Sequence, residues 1–126
     1  MLRWSLGIPL CFLLALAAAC HSAAPPSARL QMRLSTQPAV PAVGRDTTFS
    51  LLLRDAQGRP VSGASVRLSL AMTFMNMGQT VVQMSDRGHG LYTGVGAFSM
   101  GGDWDCRAIV EVGGVRAEQV FHYKVG

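Results

Sequence analysis

The sequence is short of cysteine and of charge, and both shortages narrow the class of protein. Its 126 residues include three cysteines, and 14% of the residues are charged. Cys11, Cys20 and Cys106 are too few and too scattered for the disulfide framework of a small secreted domain. The net charge is +4, but the basic residues stand singly and no aromatic side chains are interleaved with them. This pattern excludes a basic stripe that binds nucleic acid.

The sequence also lacks the motifs of the common catalytic sites. It contains no G-x-S-x-G elbow, no H-E-x-x-H and no glycine-rich phosphate loop. Asp103 and Asp105 flank Trp104, but two carboxylates without further oxygen ligands make a weak site for a hard cation. We therefore expect a protein that is not an enzyme.

The first 19 residues predict an export signal. Arg3 is followed by an uncharged apolar run from Trp4 to Ala19, which matches the charged and apolar regions of a signal peptide. This run contains Pro9 and is shorter than the ~20 residues that span a bilayer. An uncleaved membrane anchor is the weaker alternative.

The stretch "LAAAC", which ends at Cys20, resembles the lipobox of bacterial lipoproteins. In a lipobox small residues precede the cysteine that receives the lipid, so Cys20 is the predicted lipidation site. Ala17 and Ala19 also satisfy the A-x-A rule for ordinary cleavage, which would release a soluble periplasmic protein. We expect a lipoprotein that faces the periplasm, with the soluble form as the alternative.

Residues 20–29 are predicted to be a tether and residues 30–126 a single domain. The tether is rich in proline, alanine and serine, a composition typical of flexible to semi-extended linkers. His21 follows the predicted lipidated cysteine, where an aspartate would retain a lipoprotein in the inner membrane. This favours the outer membrane.

From residue 30 onward, short runs of alternating apolar and polar residues are separated by turn signals. Val66, Leu68 and Leu70 alternate with polar neighbours, as in a half-buried strand, and "EVGGVR" predicts a two-residue hairpin. No helical periodicity occurs in this part. Seven such runs predict an antiparallel immunoglobulin-like β-sandwich. They are residues 30–35, 47–55, 65–73, 79–84, 91–98, 103–112 and 115–125.

Several motifs between Phe49 and about Val112 resemble the YtkA-like family of exported domains. They are, in order, "LRDAQGRPVSGASV", a methionine-rich segment, "GLY" and "MGGDW". Family members often carry prolines among the methionines, and this sequence has none there. The resemblance implies an immunoglobulin-like sandwich and an association with copper handling or oxidase assembly in the bacterial envelope.

The stretch "AMTFMNMGQT" suggests a copper site. In an extended segment Met75 and Met77 point the same way with Cα atoms ~6.6 Å apart, and soft thioethers select Cu(I). We expect a third ligand from His89, in a glycine-flanked turn, or from Met100, in another turn. Met72 continues the apolar face of its strand and is expected in the core.

A metal-free interaction module is the alternative to the copper site. The same methionines would then contact a protein partner, because methionine-rich surfaces adapt to several partners. The expected partners are a copper ion, envelope proteins of copper handling or oxidase assembly, and the membrane through the lipid anchor. Cys106 lies in an apolar strand and is expected to be a buried thiol, although a bridge to Cys20 is open if Cys20 carries no lipid.

Overall fold

A computed structural model describes residues 30–126. The predicted export signal, the lipidation site Cys20 and the tether lie outside these residues. The described part is built from strands, and it contains no helix long and apolar enough to cross a bilayer. The seven strands are β1 (Gln31–Gln37), β2 (Asp46–Arg54), β3 (Ser65–Met72), β4 (Thr80–Asp86), β5 (Leu91–Ala97), β6 (Gly102–Val112) and β7 (Val115–Val125).

The strands form an antiparallel sandwich whose two layers are joined by β4. The hydrogen-bonded order is β1-β2-β5-β4-β3-β6-β7. β4 pairs with β3 over five residues but with β5 only at Ser85 and Asp86. It therefore connects a layer of β1, β2 and β5 to a layer of β3, β6 and β7. The expected seven-stranded antiparallel immunoglobulin-like sandwich is confirmed.

Alternation along the strands builds the core between the layers. On β6 every second residue from Trp104 to Val110 is buried, whereas of the outward positions between them Asp105 and Arg107 are accessible and Ile109 is covered. This period of two arises because successive side chains of a strand point to opposite faces. The fully buried side chains with the largest volumes are Tyr92, Phe49, Phe98, Leu51, Leu53, Leu68 and Leu70.

Three aromatic rings connect the two layers near one end of the sandwich. The Phe98 and Trp104 centroids are 5.1 Å apart with the rings at 69°, and the Phe98 and Phe49 centroids are 5.9 Å apart. Edge-to-face contacts of this kind add to the free energy gained by burial. The indole N–H of Trp104 also donates to the carbonyl of Met100 at 3.0 Å, so the buried ring leaves no polar group unsatisfied.

The two ends of the sandwich carry different loops. The methionine end, as we call it, comprises the loops 38–45, 73–79 and 98–101. It also holds the last residue, Gly126, whose N–H donates to the carbonyl of Pro41. The opposite end comprises the start of β1 and the connections 55–64, 87–90 and 113–114.

The predicted hairpin lies at the opposite end. Gly113 and Gly114 form the two-residue turn, with φ of +56° and +76°. Positive φ at both positions is what the tight turn between two twisted strands requires, and glycine adopts it without steric cost. Val112 and Val115 close the turn, and the register of the two longest strands follows from this pair.

We predict that Trp104→Ala lowers the free energy of unfolding by ~3–5 kcal/mol, because truncation of a large buried aromatic leaves a cavity. Phe74→Ala is the matched control: Phe74 is 84% exposed, so its loss should change stability by less than ~0.5 kcal/mol. Urea denaturation followed by circular dichroism measures both. Equal stability losses in the two variants would contradict the burial described here.

Candidate functional site

The methionine segment, residues 73–79, is attached to the sandwich at its two ends. The Thr73 N–H donates to the carbonyl of Asp103 at 3.0 Å, and the Ser69 hydroxyl donates to the side-chain oxygen of Gln79 at 2.9 Å. Between these points the chain bends and then runs without regular structure to β4. Because this segment is hydrogen-bonded to the sandwich at both ends and has few internal hydrogen bonds, its side chains can change conformation without disturbing the strands.

The side chains of this segment lie on the surface. Met75 is 52% exposed and Met77 is 56% exposed, and both flank Asn76. Met72, one residue before the segment, is instead partly buried and packs against the core, as expected. The segment therefore presents two thioether sulfurs to solvent, where packing does not require them.

Met100 lies at the same end of the sandwich as the methionine segment. Its side chain is 38% exposed, while its carbonyl accepts the hydrogen bond from the Trp104 indole. The main chain at Met100 is therefore fixed by a core residue, and the side chain remains accessible. The topology brings Met75, Met77 and Met100 to one end of the molecule.

His89 lies at the other end. It is in the turn between β4 and β5, with φ of +55°. The carboxylate of Asp86 accepts hydrogen bonds from the N–H groups of Gly63 and Gly88, and these bonds lower the pKa of Asp86. Because β4 runs from the methionine segment straight to this turn, its seven residues separate the two by ~20 Å. The structure thus separates His89 from Met75 and Met77.

The Cys106 thiol is unsuited to ligate a metal. It is buried between the layers, and this burial, with a smaller contribution from the nearby Asp105 charge, raises its pKa to about 12. The thiolate is the form that binds metals, so a thiol with this pKa stays protonated at neutral pH. Across residues 30–126, moreover, no three His, Cys, Asp or Glu side chains converge as a metal site.

A second histidine, at a position where the alternation of the last strand predicts a surface residue, lies near the methionine segment. His122 is on the outward face of β7, and its Nδ1 is 2.5 Å from Oδ1 of Asp105 on β6. The Thr73 hydroxyl donates to the same carboxylate oxygen at 3.1 Å. The register of the β6–β7 hairpin predicts this contact, because counting back from the Val112–Val115 pair places Asp105 opposite His122.

The comparison with protein families identifies the family of this chain. The model of the YtkA-like family matches residues 26–108, which is most of the described part and all strands up to the middle of β6. The chain belongs to the YtkA-like family. No curated protein matches the sequence.

Solved structures share the fold of this YtkA-like domain. The crystal structure of the Lin-41 filamin domain has a TM-score of 0.57 and 17% identity, over 78% of this chain and 92% of that chain. The crystal structure of a DUF4785 family protein from Legionella pneumophila has a TM-score of 0.56 and 12% identity. That match covers 77% of this chain but 29% of the other protein. At these identities the likeness concerns the fold alone.

We predict that Cys106 of this YtkA-like protein is inert in the native state. In a form that starts at residue 21 it is the single cysteine, so a thiol-reactive chromogenic disulfide reports on it alone. Burial and the raised pKa should prevent reaction at pH 8, whereas the protein unfolded in urea should react fully. Rapid labelling of the native protein would contradict the buried position.

Proposed function

We propose that this protein is a non-enzymatic domain of the bacterial envelope that binds one Cu(I) ion through Met75 and Met77. The observation that carries the proposal is the exposure of both thioethers in a segment that is fastened only at its ends. Met100, in the loop 98–101, carries another thioether at the same end of the sandwich. Membership of the YtkA-like family, which the resemblance associates with copper handling and oxidase assembly, supports the same function.

The chemistry of thioethers selects the metal. Uncharged, polarizable sulfur prefers Cu(I) to harder dications such as Zn(II). Methionine needs no deprotonation, so binding through it escapes most of the proton competition that cysteine and histidine sites experience. Thioethers also suit the periplasm, where exposed thiols oxidise to disulfides.

The flexibility of the segment fits a site that exchanges its ion. Methionine has three rotatable side-chain bonds, and Met75 and Met77 are separated by Asn76 alone. Two sulfurs on such a segment can close on an ion without strand movement, and they can release it as easily. We infer moderate affinity, as copper handling or the supply of an oxidase would require.

We predict that Met75→Leu combined with Met77→Leu lowers Cu(I) affinity by more than ~100-fold. Loss of direct ligands should exceed the 10–100-fold cost of changes in the second coordination shell. Stability should change by less than ~1.5 kcal/mol, because leucine and methionine have similar volumes. Competition against a colorimetric Cu(I) chelator under reducing conditions measures the affinity.

Met72→Leu is the internal control for this experiment. Met72 has the same chemistry but packs against the core, so its replacement should leave Cu(I) affinity unchanged. If the double variant binds Cu(I) as tightly as the wild type, the methionine segment is not a copper site.

A metal-free interaction module is the second candidate, and the distribution of exposed apolar side chains favours it. Nine large apolar side chains are exposed within residues 30–126, and six of them lie in the loops of the methionine end. Apolar side chains concentrated in this way mark contact surfaces for proteins. The six are Val40, Val43, Phe74, Met75, Met77 and Met100.

The two candidates differ in what Phe74 does. Its ring is the most exposed apolar side chain of the methionine end, and it offers no copper ligand. A module that only docks a partner should hold no Cu(I) against a weak competitor and should lose its partner in Phe74→Ser. A copper site should survive this substitution.

We propose further that Cys20 anchors the domain to the membrane by a lipid. Mass spectrometry of the mature protein should find diacylglycerol on the N-terminal cysteine, and Cys20→Ser should give an unprocessed or soluble form. A mature chain that begins at Cys20 with a free thiol would overturn the anchor, and ordinary cleavage to a soluble periplasmic protein would replace it.

A further inference from the structure

His122 is held in one orientation by the hydrogen bond between its Nδ1 and Asp105. Of the two neutral tautomers of the imidazole, a carboxylate next to Nδ1 favours the one with the proton on Nδ1, because that proton is then donated to the carboxylate. The lone pair of the imidazole is then on Nε2. The side chain is 76% exposed, so Nε2 is free to bind a ligand.

The same carboxylate fixes the start of the methionine segment. The Asp105 carboxylate accepts from the hydroxyl of Thr73, and the main-chain carbonyl of Asp103 on the same strand accepts from the Thr73 N–H. His122 and the segment are therefore bound to neighbouring positions of β6, which is a rigid central strand of its layer. Their relative position does not depend on the flexible part of the segment.

A shallow concavity links the histidine to the segment. Its wall on β7 consists of His122, Tyr123 and Lys124, and its wall on the methionine segment consists of Thr73 and Phe74; Asp103 of β6 lies between them. Met75 follows Phe74 directly, and its Cα is at most ~7 Å from that of Thr73. A flexible thioether at this position can turn toward the concavity into which the imidazole projects.

We propose that Nε2 of His122 is the nitrogen ligand of the Cu(I) site and that Asp105 is its positioning residue. The arrangement is the one commonly found at metal-ligating histidines, whose second ring nitrogen donates to a carboxylate. Imidazole and thioether together suit copper. This inference rests on the proposed Cu(I) binding by Met75 and Met77, and it assigns to His122 the role that the sequence analysis expected of His89.

The test compares two histidine substitutions in the full chain, purified after export. His122→Gln should weaken Cu(I) binding at least about tenfold in the chelator competition, and His89→Gln, the matched control, should leave it unchanged. Asp105→Asn should weaken binding within the 10–100-fold range typical of such positioning carboxylates. Circular dichroism and urea denaturation verify that each variant is folded.

Nitrogen chemical shifts of the imidazole give a readout that a structural role would not change. Long-range ¹H–¹⁵N spectra of the metal-free protein should show the Nδ1–H tautomer for His122 and its loss in Asp105→Asn. Addition of Cu(I) should shift the Nε2 resonance of His122 and leave that of His89 in place. An unchanged Nε2 resonance at saturating Cu(I) would overturn the proposal.

The outcomes separate this inference from the function on which it rests. If the Met75→Leu, Met77→Leu variant loses Cu(I) but His122→Gln binds as tightly as the wild type, the methionine site stands and the histidine ligand is refuted. If the double leucine variant binds normally, or the wild type holds no Cu(I), both proposals fail.

Discussion

The packing of Trp104 supports both the core and the methionine end. Its ring contacts Phe98 between the layers, and its N–H holds the carbonyl of Met100 in the loop above. On the neighbouring strand Met72 pairs with Trp104, immediately before the methionine segment begins. One residue of β6 therefore lies beside the points where two of the three loops leave the sandwich: its side chain holds Met100, and its main chain pairs with Met72. The exposed sulfurs can be mobile because the strands from which they emerge are fixed.

The sequence predicted the fold well because strand signals are local. The seven short runs and the turn signals between them, such as the paired glycines at 113 and 114, identified all seven strands with bounds within two residues of those observed. These signals depend on neighbours along the chain, which a period of two or a turn type records directly. The burial of Trp104 and Cys106 followed from the same alternation.

The site was harder to predict because it depends on which loops meet. Met100 and the methionine segment lie at the same end of the sandwich because strands distant in sequence pair with each other. No local sequence pattern predicts such pairings. His89 was grouped with the methionines by its nearness in sequence, yet β4 carries the chain across the whole sandwich between them. The Asp105–His122 contact lies between these cases: the hairpin register contains it, but alternation alone predicts for His122 only a surface position on β7. Copper binding itself stays a prediction.

The N-terminal side of the sandwich, where β1 starts, is the end opposite to the methionine end. Gln31 pairs with Arg54, next to the charged connections of that end and a full strand length from the methionine segment. A domain held from this side can present the methionine end away from the surface that holds it. The eleven residues of β6 alone separate the two ends of the sandwich by ~35 Å. Under the proposed lipid anchor, the exposed sulfurs and Phe74 would meet partners that extend into the periplasm, or that belong to the facing membrane, before they meet the membrane that carries them.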